Sequence, residues 1–130
     1  RVATSLAGGT WRLGLEAGGG TSWGQVPLQR NWFLGGPITL RGYDVATLSG
    51  TTFTRGRLEV ARVFADVGSV SVFGDMGWAG PREMLDRAQP LWGVGIGGSL
   101  LDGLVRMDLS HGLRGPAKSL RLDLYLDAIL

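Results

Sequence analysis

Along most of the chain apolar side chains recur at every second position, the period of a strand that keeps one face from water. Trp11, Leu13, Leu15 and Ala17 alternate with Arg12, Gly14, Glu16 and Gly18. Gly56, Leu58 and Val60 alternate with Arg55, Arg57, Glu59 and Ala61, and Val70, Val72, Met76 and Trp78 with Ser71, Phe73, Asp75 and Gly77. Trp92, Val94, Ile96 and Leu100 oppose Gly93, Gly95, Gly97 and Ser99, and Val105, Met107 and Leu109 oppose Arg106, Asp108 and Ser110. A last row of Leu120, Leu122, Leu124, Leu126, Ala128 and Leu130 opposes Arg121, Asp123, Tyr125 and Asp127. The pattern predicts about six complete strands, each with an apolar face and a polar or glycine face, and residues 1–6 read as the tail of another.

Two environments produce such strands. In a soluble barrel or sandwich the apolar face is the core, and in a membrane barrel it meets lipid while the polar face lines a lumen. Predicted lengths of roughly 9 to 11 residues match tilted membrane strands; soluble strands cluster near five or six. The connections alternate between long and short: 24–51, Asp66-Val67-Gly68, 79–90, Asp102-Gly103 and the intermediate 112–117. Up-and-down outer-membrane barrels alternate in this way, with long loops outside and tight turns on the periplasmic side. Asp102-Gly103 is a type I′ hairpin signal, because both central residues of that turn need positive φ.

Composition narrows the choice. The 130 residues include 23 glycines and five tryptophans, and only 18% are charged; glycine costs about 1 kcal/mol per helical position relative to alanine, so a β-protein is expected. The longest uncharged run, Ala88 to Leu101, is rich in glycine and shorter than the roughly 18 residues of a membrane helix. Any crossing of a membrane would be made by strands. Without cysteine there is neither a disulfide framework nor a thiolate metal site. A net charge of +2 with no basic stripe argues against nucleic-acid binding. The first residue is Arg1, and the chain is expected to be a piece of something longer. Tryptophans 11, 23, 32, 78 and 92 fall near strand ends or loop edges, where an interfacial aromatic girdle would place them; burial in a core is the other reading.

The candidate chemistry lies in Phe33-Leu34-Gly35-Gly36-Pro37-Ile38-Thr39-Leu40-Arg41-Gly42-Tyr43. Breakers at Gly35-Gly36-Pro37 and at Gly42 flank a short extended piece, so the loop can turn back sharply. Glu59, in Arg57-Leu58-Glu59-Val60, and Asp75, in Phe73-Gly74-Asp75-Met76-Gly77, point to the polar face by strand parity. A loop tip folded against that face would meet both, and a guanidinium can satisfy two carboxylates through its planar fork. Such a pair is worth about 4 kcal/mol gross at roughly 4 Å and an effective dielectric of 20. Desolvation offsets much of that, so the expected benefit is a fixed loop position. The competing reading leaves Arg41 solvated and places Glu59 and Asp75 in surface pairs.

The loop, the Arg57-Leu58-Glu59-Val60 strand and the Phe73-to-Gly77 strand, in this order, resemble the BamA-type outer-membrane assembly and secretion barrels, the bacterial surface antigen family. The glycine-rich strand from Trp92 to Gly98 and the leucine-alternating terminal strand extend the resemblance over most of the chain. It implies that the LRGY-like loop folds into the barrel and that its arginine pairs with acids on the next two strands. Arg41, Gly42, Tyr43, Glu59, Asp75 and Gly77 would form that docking motif. It implies an all-β, antiparallel, up-and-down transmembrane β-barrel of about 16 strands. Residues 1–130 would be its C-terminal part, with 24–51 as the in-folding loop and 52–130 as the last five strands. Six or seven strands close no membrane barrel, whose minimum is about eight, so upstream strands and periplasmic domains of the same chain are implied. Family barrels usually end in an aromatic residue; this chain ends in Leu130, which keeps the lipid-facing parity.

The implied role is not enzymatic and needs no cofactor or metal. Such barrels insert client β-barrels into the outer membrane or pass polypeptides through a lumen, using a weakly paired seam between first and last strands. Ser119 to Leu130, with Leu120, Leu122, Leu124 and Leu126 toward lipid, would be that seam strand. Partners would be outer-membrane lipid and client or secreted polypeptides. The location would be a bacterial-type outer membrane with the C-terminus in the periplasm. Inward Gly93, Gly95 and Gly97 would leave space for the loop near the barrel wall. The alternatives are a passive or porin-like outer-membrane barrel plugged by Arg41, and a soluble barrel with an apolar ligand inside.

Other signals carry less. Gly93-Val94-Gly95-Ile96-Gly97-Gly98 has dinucleotide-binding spacing but leads into a turn and a strand rather than a helix. His111 is the only histidine, and it sits at a predicted strand end. Asp108 and Asp123 could be paired catalytic carboxylates, but Arg106 and Arg121 on the same face make them read as ion-pair ladders.

Overall fold

The computed structural model describes residues 2–8, 10–25, 27–64, 67–101, 104–115 and 120–126. It is an all-β, antiparallel structure. The strands are β1 (Val2–Gly8), β2 (Trp11–Thr21), β3 (Trp32–Leu34), β4 (Leu48–Gly50), β5 (Thr52–Phe64), β6 (Gly68–Gly80), β7 (Leu91–Leu100), β8 (Val105–Gly112) and β9 (Leu120–Leu126). Seven of them form one sheet in the order β1-β2-β5-β6-β7-β8-β9, so every neighbour in space is the next long strand in sequence. β3 and β4 form a separate two-stranded ladder inside the long connection between β2 and β5. Among the described residues no pairing joins β1 to β9, and the sheet is open.

Three boundaries differ from the periodicity reading. The tail expected at residues 1–6 is a full strand, paired with β2 from Val2↔Ala17 to Gly8↔Trp11. β6 runs on to Gly80, because Thr52↔Gly80 and Phe53↔Ala79 extend its ladder with β5. The connection expected from Ala79 therefore begins at Pro81, and it carries a 3-10 helix, Arg82–Arg87. The segment 24–51 likewise contains order of its own, the β3–β4 ladder and a short 3-10 helix, Leu28–Arg30.

The connections fall at two ends of the sheet. Links 22–51, 81–90 and 113–119 lie at one end, and the shorter ones between β1 and β2, β5 and β6, and β7 and β8 at the other. Val67 N–H bonds the Phe64 carbonyl at 3.1 Å, and Leu104 N–H bonds the Leu101 carbonyl at 3.1 Å, so both hairpins close tightly. The expected turn residues Asp66, Asp102 and Gly103 lie outside the described residues. So do Ala117, Ser119, Asp127, Ala128 and Leu130, which the sequence reading assigned to the last connection and strand.

Register converts the alternation into two faces with different surroundings. Leu15 opposes Leu58, Val60 opposes Val72, and Leu109 opposes Leu122, which builds an apolar face across the sheet. Among the described residues nothing covers most of it: Leu120, Leu122, Leu124 and Leu126 are each between 65% and 72% exposed. The polar face is the covered one. There Phe73, Asp75 and Asp108 are buried against Arg41 of the long connection, Ser71 and Ser110 are buried on the same face, and a small apolar cluster of Leu40, Tyr43 and Leu91, backed by Leu48, anchors that connection. Trp11, Trp23, Trp32 and Trp92 are exposed, but Trp78 is not. It packs over Gly80, where a Cβ would stand 2.7 Å from the indole ring. Among the described residues no helix is long and apolar enough to cross a membrane, which says nothing about a barrel of strands.

Candidate functional site

The long connection turns back on itself over residues 35–47. Gly35 and Gly36 take φ of 134° and 84°, a region that L side chains rarely adopt. A bridge between Gly36 and Leu40 and a hydrogen bond from Gly36 N–H to the Tyr43 carbonyl at 2.9 Å close the turn. Thr39 Oγ1 accepts from Gly35 N–H at 2.8 Å and donates to the Gly35 carbonyl at 2.7 Å, pinning the base. The result is a rigid hairpin tip that presents Leu40, Arg41 and Tyr43 to the polar face of the sheet, all three buried.

Arg41 is 1% exposed and meets three carboxylates. Nε donates to Asp75 Oδ2 at 2.8 Å and Nη2 to Asp75 Oδ1 at 2.7 Å, the side-on fork that fits guanidinium to carboxylate. Nη1 reaches Glu59 Oε2 at 3.0 Å and Asp108 Oδ2 at 3.3 Å. The Arg41 backbone N–H also bonds Asp75 Oδ2, at 3.1 Å. Beneath the fork lies the Phe73 ring, with its centroid 3.3 Å from the guanidinium carbon. Burial pulls the proton affinity of Arg41 down, but the hydrogen bonds and charge of Asp75 and Glu59 outweigh it and hold the pKa above the usual range.

Two further arginines balance the acids. Arg57 Nε lies 3.3 Å from Asp75 Oδ1, and its Nη2 donates to the Pro37 and Ile38 carbonyls at 3.3 and 3.2 Å, so one side chain holds both the acid and the loop. Arg106 on β8 donates to Asp108 Oδ1 at 2.9 Å and crosses the face to Glu59 Oε2 at 2.8 Å. Tyr125 on β9 donates to Asp108 Oδ2 at 2.7 Å. Three guanidinium groups thus face three buried or half-buried carboxylates, which is the condition for keeping charge away from water. Arg121 pairs with Asp44 of the loop and with Asp123 on its own strand. A depression of about 290 Å³ lined by Arg12, Glu16, Arg57 and Glu59 continues the polar face toward β2.

The other residues of the expected motif act by size and by backbone contact. Gly42 takes φ 87°, and a Cβ there would stand 2.7 Å from the Gly112 nitrogen and the His111 carbonyl carbon, so the loop backbone touches the end of β8. The Tyr43 hydroxyl accepts Arg114 N–H at 3.1 Å and lies 2.9 Å from the Trp92 carbonyl and 3.0 Å from that of Arg114, either of which takes its proton. Gly77 gives Leu34 and Leu40 room, with a Cβ there meeting Leu34 Cδ1 at 3.2 Å. Leu120, Leu122, Leu124 and Leu126 stand apart from this cluster, on the opposite face.

The inward glycines of β7 have three separate functions. A Cβ on Gly93 would collide with the Arg41 carbonyl, so that position admits the loop. Gly95 instead makes room for the Phe73 ring, and Gly97 for the side chains of Asp108 and Arg106. Four participants were not expected at the site: Asp108 as a third acid for Arg41, Phe73 beneath it, Arg106 as a bridge to Glu59, and Tyr125. Their polar-face parity was legible, and that is the signal that points to them. Among the described residues no cluster of three or more His, Asp or Glu could hold a metal ion.

No protein-family model and no curated protein sequence matches the chain.

Proposed function

We propose that the chain is the C-terminal part of a BamA-like outer-membrane barrel that takes part in inserting outer-membrane proteins or in passing polypeptides across the membrane. The observation that carries this reading is the Arg41 fork on Asp75, made by a loop folded onto the polar face while the leucine rows of the opposite face stay uncovered. A soluble protein has little use for so continuous an apolar surface, whereas a lipid-facing wall requires one. The alternation of long and tight connections adds support; on this reading the long ones would lie outside the cell and the tight ones toward the periplasm.

On this reading the docked loop lies in the lumen, and the function is mechanical rather than catalytic. β9 has no neighbour beyond β8 among the described residues, so its far edge would offer a template to an incoming strand. The partners would be outer-membrane lipid, client β-barrels or secreted polypeptides, and upstream strands and domains of the same chain.

The test is reconstitution of the full-length protein in lipid vesicles, followed by addition of a urea-unfolded small client barrel. Protease protection of the client should rise faster than with empty vesicles, or a secreted polypeptide should enter the vesicles. Protein that enters vesicles but does neither is a passive barrel. Protein that stays in water without detergent is a soluble one.

A further inference from the structure

Every charged residue on the described strands but one lies on the polar face. The exception is Arg62, which alternates along β5 with Leu58, Val60 and Phe64. His111 is the one other ionisable side chain on that face among the described residues. Arg62 is exposed and has no carboxylate partner among the described residues. Its company is aromatic: the guanidinium carbon lies 5.7 Å from the Trp11 ring centroid and 5.6 Å from that of Phe64. Trp11 is its direct register partner on β2, and both rings are substantially exposed.

The place of this cluster decides its meaning. Trp11 opens β2 just after the link from β1, and Phe64 closes β5 just before the link to β6. Val63 N–H bonds the Thr10 carbonyl at 2.7 Å, tying the two strand ends together. The cluster therefore sits at the tight-turn end, opposite the arginine loop. A bare guanidinium on a lipid-facing wall is most costly at the bilayer midplane and is readily accommodated near the interface. Headgroup level is also where aromatic belts lie. Two rings within about 6 Å support the cation, while its N–H groups remain available to an anion. Arginine is the side chain whose fork fits a phosphate in two-point contact.

We propose that Arg62, flanked by Trp11 and Phe64, is a binding site for the phosphate of an anionic phospholipid in the leaflet at the tight-turn end. A lipid occupant is favoured over an acidic protein because the neighbouring residues of that face, Leu13, Val60 and Val70 among them, are uncharged and apolar, leaving a partner's charges nothing else to meet. The inference rests on the membrane-barrel reading above.

The test uses the full-length protein stripped of lipid in detergent and titrated with phosphatidylglycerol, phosphatidylcholine or inorganic phosphate, with bound lipid counted by native mass spectrometry. Arg62→Gln should raise the half-saturating phosphatidylglycerol concentration about tenfold. A paired Trp11→Leu, Phe64→Leu variant should raise it severalfold, and it serves as the decisive measurement if Arg62→Gln does not fold. Binding unchanged in whichever folded variant is measured overturns the site. Inorganic phosphate displacing phosphatidylglycerol at equal concentration overturns the lipid assignment. Vesicle flotation of the unmodified protein separates the two readings: no flotation removes the barrel and this site together, whereas flotation with an unaffected Arg62→Gln removes the site alone.

Discussion

The guanidinium carbon of Arg41 stands 3.3 Å from the centre of the Phe73 ring, and both side chains are buried. One flat side of the guanidinium is closed by an aromatic face while its edge is forked on Asp75. A lysine ammonium has the charge but neither the plane nor the fork. Arg41→Lys is therefore expected to release the loop nearly as fully as Arg41→Ala, each losing about 3–5 kcal/mol of docking free energy because buried acids remain behind. Limited proteolysis between Gly35 and Tyr43 reads this directly, with strand content checked by circular dichroism. A lysine variant protected like the native protein would refute the fork-and-ring account.

Asp75 takes both side-chain bonds of the fork and the Arg41 backbone N–H. Reversing it with Asp75→Lys should expose the loop as Arg41→Ala does. A charge swap that adds Arg41→Glu would restore the attraction at that one pair. The carboxylate introduced at the loop tip, however, would also face Glu59 and Asp108, which in the native protein accept from Arg41. Protection in the double variant is thus expected to return only in small part. Full recovery would mean that those two acids contribute little.

Gly93 separates docking from charge. A Cβ there would collide with the Arg41 carbonyl, while every charged partner stays in place. Alanine fits the extended strand itself, so Gly93→Ala should keep the sheet and displace the loop, at a cost of about 1–3 kcal/mol if the backbone must shift. Increased cleavage at residues 35–43 is the expected readout, with no change in the strand signal. Equal protease resistance would show that the loop can lift without losing its grip.

How far these contacts can be read from the chain depends on how local their cause is. Period-two alternation assigns Glu59, Asp75, Arg106 and Asp108 to one face without knowledge of any neighbour, because the pleat alone sets it. Which of them meet depends on stagger between strands, and Arg41 is 34 positions from Asp75 and 67 from Asp108. No short-range pattern encodes those separations, so Asp108 reads as one rung of a ladder with Arg106 while in the fold it also receives Arg41. Trp78 shows the converse: parity puts it on the uncovered row, yet it is buried, with its ring lying over Gly80 where a Cβ would collide with it. The β3–β4 ladder has three residues on each side, too few for a period to register among so many breakers.

Tyr125 links the site to the terminal strand. Its hydroxyl donates to Asp108 Oδ2 at 2.7 Å, on the same oxygen that Arg41 Nη1 approaches at 3.3 Å. The loop holds β9 a second time through Asp44 and Arg121, in an exposed pair that salt should screen. The Tyr125 bond is sheltered and persists in salt. Tyr125→Phe keeps the ring and removes only the donor, so the expected loss is about 1 kcal/mol, with Asp108 still satisfied by Arg106. That loss should appear as faster amide exchange over residues 120–126, while protease protection of 35–43 stays near native because Asp75 still holds Arg41. Adding Arg121→Gln should deepen the effect at low ionic strength and add little at high salt. If the Tyr125→Phe, Arg121→Gln double variant leaves exchange in β9 unchanged even at low ionic strength, backbone pairing with β8 alone fixes the strand, and the docked loop has no grip on the edge of the sheet.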